Sequence, residues 1–307
     1  MMPQKKLSKC YSTTCLVTNE LPVIKKNPKN KLETAFFLPE DEGRQGLGGL
    51  RTQGNFKASH PNKPLITVVT AVFNCDAMLE KSILSVINQT YDNVEYIIID
   101  GCSTDGTVDL IRQYEHAIDY WVSEPDNGIY DAWNKGLRLA SGEWIAFLGG
   151  DDSYFECALE EYVYSIVDCR DRQLHYISSR INLRAGDKVV RTIGQQWSWK
   201  TFQRYMNVAH VGSLHSRVLF EKYGIYDTNY RVCGDYEFLL RPRERLKAAY
   251  LNLTTVNMSV GGASDNSLAL CEMERAKVVT GGRNFFISRI ERIIATFKLR
   301  LRKWLWY

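Results

Sequence analysis

Three places in this 307-residue chain put carboxylates where chemistry could use them. Asp100 closes the apolar run Val94-Glu95-Tyr96-Ile97-Ile98-Ile99, and Gly149-Gly150-Asp151-Asp152 follows Glu143-Trp144-Ile145-Ala146-Phe147-Leu148. Asp235 stands ahead of an apolar stretch ending at Leu240. In an open parallel sheet, ligands bind outside the carboxyl ends of the strands. There Asp100, Asp151 and Asp152 would repel one another unless a cation or donor groups sat among them. Hard oxygen ligands on a partly hydrated site suit Mg2+ or Mn2+ held jointly with substrate phosphates. Gly149 and Gly150 would let backbone and ligand approach closely. An Asp-Asp pair alone reads equally as a solvated loop or as a cap for a helix near 155; Asp100 on the same edge turns the reading toward function.

The elements that must position these groups are legible from pattern. Leu65 to Phe73 and Val94 to Ile99 have the composition of strands buried on both faces. The spacing of Leu79, Ile83, Val86 and Ile87 predicts a helix over 76–88. Helix over 107–115, strand over 119–123, helix over 129–140 and strand over 143–148 follow. Strands and helices alternating at these intervals imply an α/β fold with a mostly parallel central sheet and helices on both faces. Beyond Tyr154 the pattern loosens into a helix over 156–168, a hairpin over 175–193 around Ala185-Gly186-Asp187, and short helices over 197–206, 216–223 and from near Asp235.

Charge and cysteine usage bound the rest. Net charge is +4, but residues 1–63 carry 11 Lys/Arg against 5 Asp/Glu, and residues 283–307 carry 7 against 1. Basic flanks on a near-neutral middle point to an anionic surface, membrane or nucleic acid. Eight cysteines without a C-x-x-C pair fit neither a zinc site nor a disulfide framework, and reduced thiols in a cytosolic protein are the simplest reading. No apolar run reaches the length of a membrane span, and the N-terminus lacks the apolar core of a signal peptide. Residues 1–63 read as a flexible basic extension in which Ala35-Phe36-Phe37-Leu38 could dock on the main domain.

From residue 64 to about 242 the chain resembles the family 2 glycosyltransferases. Pro64 to Asn74 looks like their first strand and donor-binding loop. Ser85-Val86-Ile87-Asn88-Gln89-Thr90-Tyr91, Asp100-Gly101-Cys102-Ser103-Thr104-Asp105-Gly106-Thr107 and Gly128-Ile129-Tyr130-Asp131-Ala132-Trp133-Asn134-Lys135-Gly136 follow in the family's order. The resemblance implies a GT-A fold, a nucleotide-sugar donor, a hexosyl type of transfer and inversion at the sugar. By the same resemblance Asp100 hydrogen-bonds the donor base, Asp151 faces the ribose, and Asp152 binds the Mn2+ or Mg2+ that bridges the diphosphate. The motif here is Gly-Gly-Asp-Asp rather than Asp-x-Asp, which leaves the division between Asp151 and Asp152 open.

Inverting transfer needs a carboxylate to take the acceptor's proton. The resemblance supports Asp235 first and Glu237 second, although Gly234-Asp235 before an apolar run is also an ordinary helix start. His210 falls at a family-like position that could touch diphosphate, metal or acceptor. Arg241 and Lys135 read as phosphate contacts or as ordinary helix residues. At the C-terminus, Phe286, Ile290, Ile293, Ile294, Phe297, Leu301, Trp304 and Leu305 share a helical face, with a basic remainder and a terminal Trp306. That pattern fits a helix lying in a membrane interface or one packed on its own domain. A lipid-linked carbohydrate acceptor, common among the family's polysaccharide enzymes, favours the membrane and a peripheral place on its inner face. Nucleic acid is disfavoured because no binding module accompanies the basic ends.

The expected organisation is a basic extension over 1–63 and a catalytic domain over 64–260. Within that domain 64–154 is the donor- and metal-binding half and 155–260 the acceptor half; a C-terminal helical segment covers 261–307. The expected role is synthesis of a cell-surface polysaccharide or lipopolysaccharide. A sugar nucleotidyltransferase would want a Gly-rich basic loop where Asn74-Cys75-Asp76-Ala77 stands, and a dehydrogenase would want G-x-G-x-x-G there. A catalytically inactive nucleotide-sugar-binding protein would have lost a key carboxylate, whereas Asp100, Asp152 and Asp235 are all present. A polyprenyl-phosphate glycosyltransferase is close in chemistry but would want spanning helices.

Overall fold

The computed structural model describes residues 10–22, 28–169, 172–261 and 267–305. The strands are β1 (Val17–Thr18), β2 (Gly46–Gly48), β3 (Phe56–Lys57), β4 (Ile66–Val72), β5 (Val94–Asp100), β6 (Tyr120–Ser123), β7 (Trp144–Gly149), β8 (Ser153–Tyr154), β9 (Tyr176–Ala185), β10 (Lys188–Ile193), β11 (Ser213–Ser216) and β12 (Ala248–Ser259). The helices are α1 (Asp76–Ile87), α2 (Thr107–Tyr114), α3 (Ile129–Leu139), α4 (Ala158–Asp168), α5 (Trp199–Phe202), α6 (Arg217–Tyr223), α7 (Gly234–Leu240), α8 (Ser267–Val279) and α9 (Phe285–Leu305).

Ten strands form one sheet in the order β2-β6-β5-β4-β7-β11-β9-β12-β8, with β10 paired to β9. β6, β5, β4 and β7 are parallel neighbours, which their continuous apolar runs dictate because both faces are covered. Alternation along each strand divides the core. Val69, Ile97, Ile99, Ile145 and Phe147 face α3, α6 and α7, where Trp133, Leu137, Phe220 and Phe238 lie. Val68, Ile98, Ala146 and Leu148 face α1, α2 and α4, where Leu79, Ile83, Ile111 and Leu159 lie. The register sets Val72 beside Asp100, and Ala71 beside Gly149. The carboxyl ends of three adjacent strands therefore share one edge.

The second half departs further from pattern. The hairpin forms as β9 and β10, but β12, a strand of 12 residues, has no clear sequence signal. Most of its residues are only half-buried, and its partners β9 and β8 are remote in the chain. The helix expected over 197–206 shrinks to the single turn of α5.

The reading of residues 1–63 as flexible is corrected for those described. β2 extends the sheet by pairing antiparallel with β6. Arg51 is buried and its guanidinium meets the buried Glu95 carboxylate at 2.5 Å. Glu95 also accepts from Thr67 Oγ1 at 2.6 Å and Ser141 N at 2.8 Å. Thr13 donates to the Ala117 carbonyl at 2.7 Å. These bonds are long-range, so the segment's polar composition conceals them. Likewise, Cys10 and Cys15 are joined in a disulfide, correcting the reading of eight reduced thiols; a turn in which Tyr11 O accepts from Thr14 N and Cys15 N brings them together.

The C-terminal helix is inside out. Phe286, Ile287, Ile290, Ile293, Ile294 and Phe297 are exposed, Phe286 by 73% and Phe297 by 68%. The inward face is polar: Glu274 of α8 pairs with Arg289 at 3.5 Å and with Arg292, and Glu291 pairs with Lys277 at 3.2 Å and with Arg283. Side chains beyond residue 299, including Leu301, Trp304 and Leu305, and all of Trp306, lie outside the described residues. Among the described residues no helix is long and apolar enough to cross a membrane.

Candidate active site

The loops after β4 and β5 are stitched together. Asn74, held at φ 49, donates its backbone N–H to Ser103 Oγ at 2.7 Å and accepts from Thr104 N through Oδ1 at 2.9 Å. Cys75 N donates to Thr107 Oγ1 at 2.8 Å. Asp100 is fully buried. Its carboxylate accepts from Ser103 N at 3.0 Å, Ser103 Oγ at 2.5 Å and Ser123 Oγ at 2.6 Å. In this structure the Asp100 side chain turns inward and closes the loop 101–103. Asp126, which sequence reasoning passed over, is half-buried beside Gly101, and burial raises its carboxyl.

Asp151 is exposed, whereas Asp152 is only 4% exposed. Asp152 accepts from Gly149 N at 3.3 Å and from Ser259 N at 3.2 Å, while the Ser259 hydroxyl donates to the Asp151 carbonyl at 2.9 Å. A Cβ on Gly149 would sit 2.8 Å from Asp152 Oδ2, so any side chain there would displace this carboxylate. Burial, and then the charge of Asp151, push the Asp152 carboxyl up to about 7. No Lys, Arg or His among the described residues pairs with either carboxylate. They do not form a closed cage either, because no group of three or more His, Cys, Asp or Glu able to hold a metal occurs among the described residues. Two hard oxygen donors short of positive charge do fit a Mg2+ or Mn2+ that takes its other ligands from water and phosphate.

Asp235 lies in the first turn of α7 and is half-buried. Its Oδ1 is 2.8 Å from Tyr236 N and 3.0 Å from the Tyr130 hydroxyl, whose one proton is shared with the Val232 carbonyl at 2.7 Å. A Cβ on Gly234 would meet the Tyr130 ring at 2.9 Å, so glycine lets the phenol reach Asp235. Burial pushes the Asp235 carboxyl up to about 6, opposed by these hydrogen bonds and assisted by the charge of Glu272. A carboxylate near neutrality is suited to general-base work.

The other candidates are structural. Glu237 is buried and accepts a bidentate pair of hydrogen bonds from Arg241, at 3.1 Å from Nε and 2.6 Å from Nη2, and another from Thr280 Oγ1 at 2.8 Å. Arg241 also donates to the Tyr223 and Ile225 carbonyls. Glu237, the second choice of base, is thus engaged by Arg241 and Thr280. His210 stacks on Trp133 at 4.7 Å, with Nε2 3.0 Å from the Tyr226 hydroxyl. Burial drives its imidazole down to about 3, so it is neutral. Lys135 pairs with Glu124 at 2.9 Å, and Glu124 with Arg44 at 2.7 Å, fastening α3 to the N-terminal segment. In the sequence Tyr130 stands out only within the family-like block Gly128 to Gly136, and neither Ser259 nor Glu272 carries a local signal.

The chain carries carboxylates at its strand ends and another at a helix start, and comparison with known proteins supplies the class. Residues 67–199 match the family described as Glycosyl transferase family 2. An uncharacterized glycosyltransferase, Rv1514c of Mycobacterium tuberculosis, is 31% identical over 189 residues, 58% of this chain and 68% of the relative. A PGL/p-HBAD biosynthesis glycosyltransferase of Mycobacterium bovis is 28% identical over 216 residues, 67% of this chain and 80% of the relative. Among solved structures, S. aureus TarS 1–349 in complex with UDP-GlcNAc aligns at TM-score 0.57 and 12% identity, covering 73% of this chain and 69% of that one; the chain spans 41% of the longer TarS structure. Mannosyltransferase PcManGT of Pyrobaculum calidifontis, with GDP-Man and Mn2+, aligns at 0.53 and 18%, covering 70% and 63%. The fold is that of GT-A glycosyltransferases. The chain belongs to the family 2 glycosyltransferases and is a nucleotide-sugar-dependent enzyme. Asp100, Asp151 and Asp152 fall inside the matched segment; Asp235 falls beyond it.

Proposed function

We propose that the chain is an inverting glycosyltransferase that builds a cell-surface polysaccharide or lipopolysaccharide by single displacement. What supports this reading is the placement of Asp151 and Asp152 just after β7, with no cationic partner among the described residues, and of Asp235 in the first turn of α7 against the Tyr130 hydroxyl, burial raising the carboxyls of Asp152 and Asp235. Asp235 takes the proton of the acceptor hydroxyl as its oxygen bonds to the anomeric carbon. The bond from that carbon to the diphosphate oxygen breaks, and the nucleoside diphosphate leaves with the electron pair. Asp152, with Asp151, would hold Mn2+ or Mg2+, and Asp151 would face the ribose. Bound there, the cation supplies charge stabilisation to the leaving group. Asn74 and the loop closed by Asp100 frame the base. A hydrolysis screen of nucleotide sugars with and without Mn2+ tests this; metal-independent turnover left intact by Asp152→Ala would overturn it.

The same reading places a lipid-linked carbohydrate acceptor at the inner face of a membrane. What supports it is the inverted α9: its polar face is held by ion pairs while its apolar face meets solvent. An apolar stripe with a Lys/Arg-rich flank binds anionic interfaces by area and charge together. Co-sedimentation of the full chain with phosphatidylglycerol vesicles checks this. The expected result is binding that Ile290→Glu with Phe297→Glu abolishes and that salt weakens. Equal pelleting of both proteins, or none, removes the claim.

A further inference from the structure

We propose that Glu272, on α8, is a positioning residue that sets the place of the base Asp235 by clamping the backbone just before it. This deepens the proposed function and rests on Asp235 being the base. Glu272 is buried, and its two oxygens accept from three consecutive backbone N–H groups: Arg231 at 2.8 Å, Val232 at 2.8 Å and Cys233 at 2.9 Å. Charge-assisted bonds from backbone amides are about twice as strong as neutral ones. Removing the acceptor leaves the buried Cys233 N–H unsatisfied, with its desolvation penalty, and frees the part-buried amides of Arg231 and Val232. Nothing nearer in the chain does this work. Residues 229–233 form no regular element, and Cys233 is tied to the same helix by its thiol, which donates to the Ala269 carbonyl at 3.3 Å.

The position of this loop matters because it reaches the base along two routes. Cys233 leads directly into α7, and the Val232 carbonyl takes the Tyr130 hydroxyl that also touches Asp235. A shift of residues 231–233 moves both the carboxylate and its hydrogen-bond partner. A carboxylate one ångström out of place loses much of its catalytic advantage. α8 itself is pinned through Glu274 and Lys277 to α9, so the clamp is anchored at the far end of the chain.

The experiment uses the full chain and needs no donor. Backbone hydrogen exchange is followed across 231–238, and the Asp235 carboxyl is titrated by carbon NMR, its signal assigned by loss in Asp235→Asn. The ionisable groups facing Asp235 are Tyr130 of α3, Tyr176 of β9, Tyr226, Cys233 and Glu272. Burial holds the phenols and the thiol protonated, and the charge of Glu272 raises the Asp235 carboxyl. Glu272→Gln is expected to speed exchange across 231–238 at least tenfold, leave 66–100 within twofold, and lower the Asp235 midpoint. Glu272→Asp keeps the charge but shortens the reach; it should loosen the amides while holding the midpoint up. Unchanged exchange and midpoint in Glu272→Gln overturn the inference. An active Asp235→Asn beside the expected exchange result overturns the assignment of the base and leaves the clamp standing.

Discussion

The strand-end edge and the proposed base, Asp235, are held by opposite means. The loops bearing Asn74, Asp100 and Asp152 are closed mainly by residues of the same parallel unit: Ser103, Ser123, Thr107 and Gly149. Asp235 depends on Tyr130, 105 positions away, and on a loop clamped by Glu272, 39 to 41 positions away. One centre rests on β-strand register and the other on packing between remote helices. Damage far from the chemistry should therefore reach the proposed base more easily than the strand-end edge.

Breaking each centre directly gives the largest effects. Asp235→Asn should lower kcat by about 10²–10⁴-fold, the usual worth of a general base, with donor affinity retained in a binding titration. Asp152→Ala, or chelation of the cation, should remove several kcal/mol of leaving-group stabilisation and weaken donor binding as well. If both variants lost binding equally, the two centres would not be separable. Next comes a stability test on the parallel unit: Arg51→Ala leaves the Glu95 carboxylate buried without its cation, at a cost of about 3–5 kcal/mol by urea unfolding. Its sign with pH follows from the shift. Although burial opposes it, Arg51 and the Ser141 and Thr67 bonds hold Glu95 below its ordinary 4.5. The stabilisation is present above that value and is lost as pH falls through the lowered one.

Two smaller tests sharpen the contrast. The pH profile of kcat should fall about tenfold per unit below about 6, because Asp235 must be ionised to accept a proton. Tyr130→Phe removes a hydrogen bond that favours the ionised form, so the acid limb should move to higher pH. Its rate effect should be about 2–10-fold, the scale of one net hydrogen bond. A larger fall in donor affinity than in kcat would place Tyr130 with the donor edge instead.

The sequence by itself determined the parallel unit and its edge. Continuous apolar runs can be satisfied only by strands covered on both faces, and an Asp directly after such a run must lie at the strand's end. The regularity of Leu79, Ile83 and Val86 fixed α1 on the same grounds. Tertiary structure alone decided the direction of the Asp100 side chain, the pairing of Glu237 with Arg241, the embedding of residues 46–57, and the reach of Ser259 and Glu272 to the two centres. It also turned the apolar face of α9 outward, against the usual rule for an amphipathic helix. Periodicity reports which residues share a face but not which face is covered. Hydrogen bonds between residues tens of positions apart leave no period at all. Local pattern therefore located the carboxylates, and long-range packing decided which of them remain free to act.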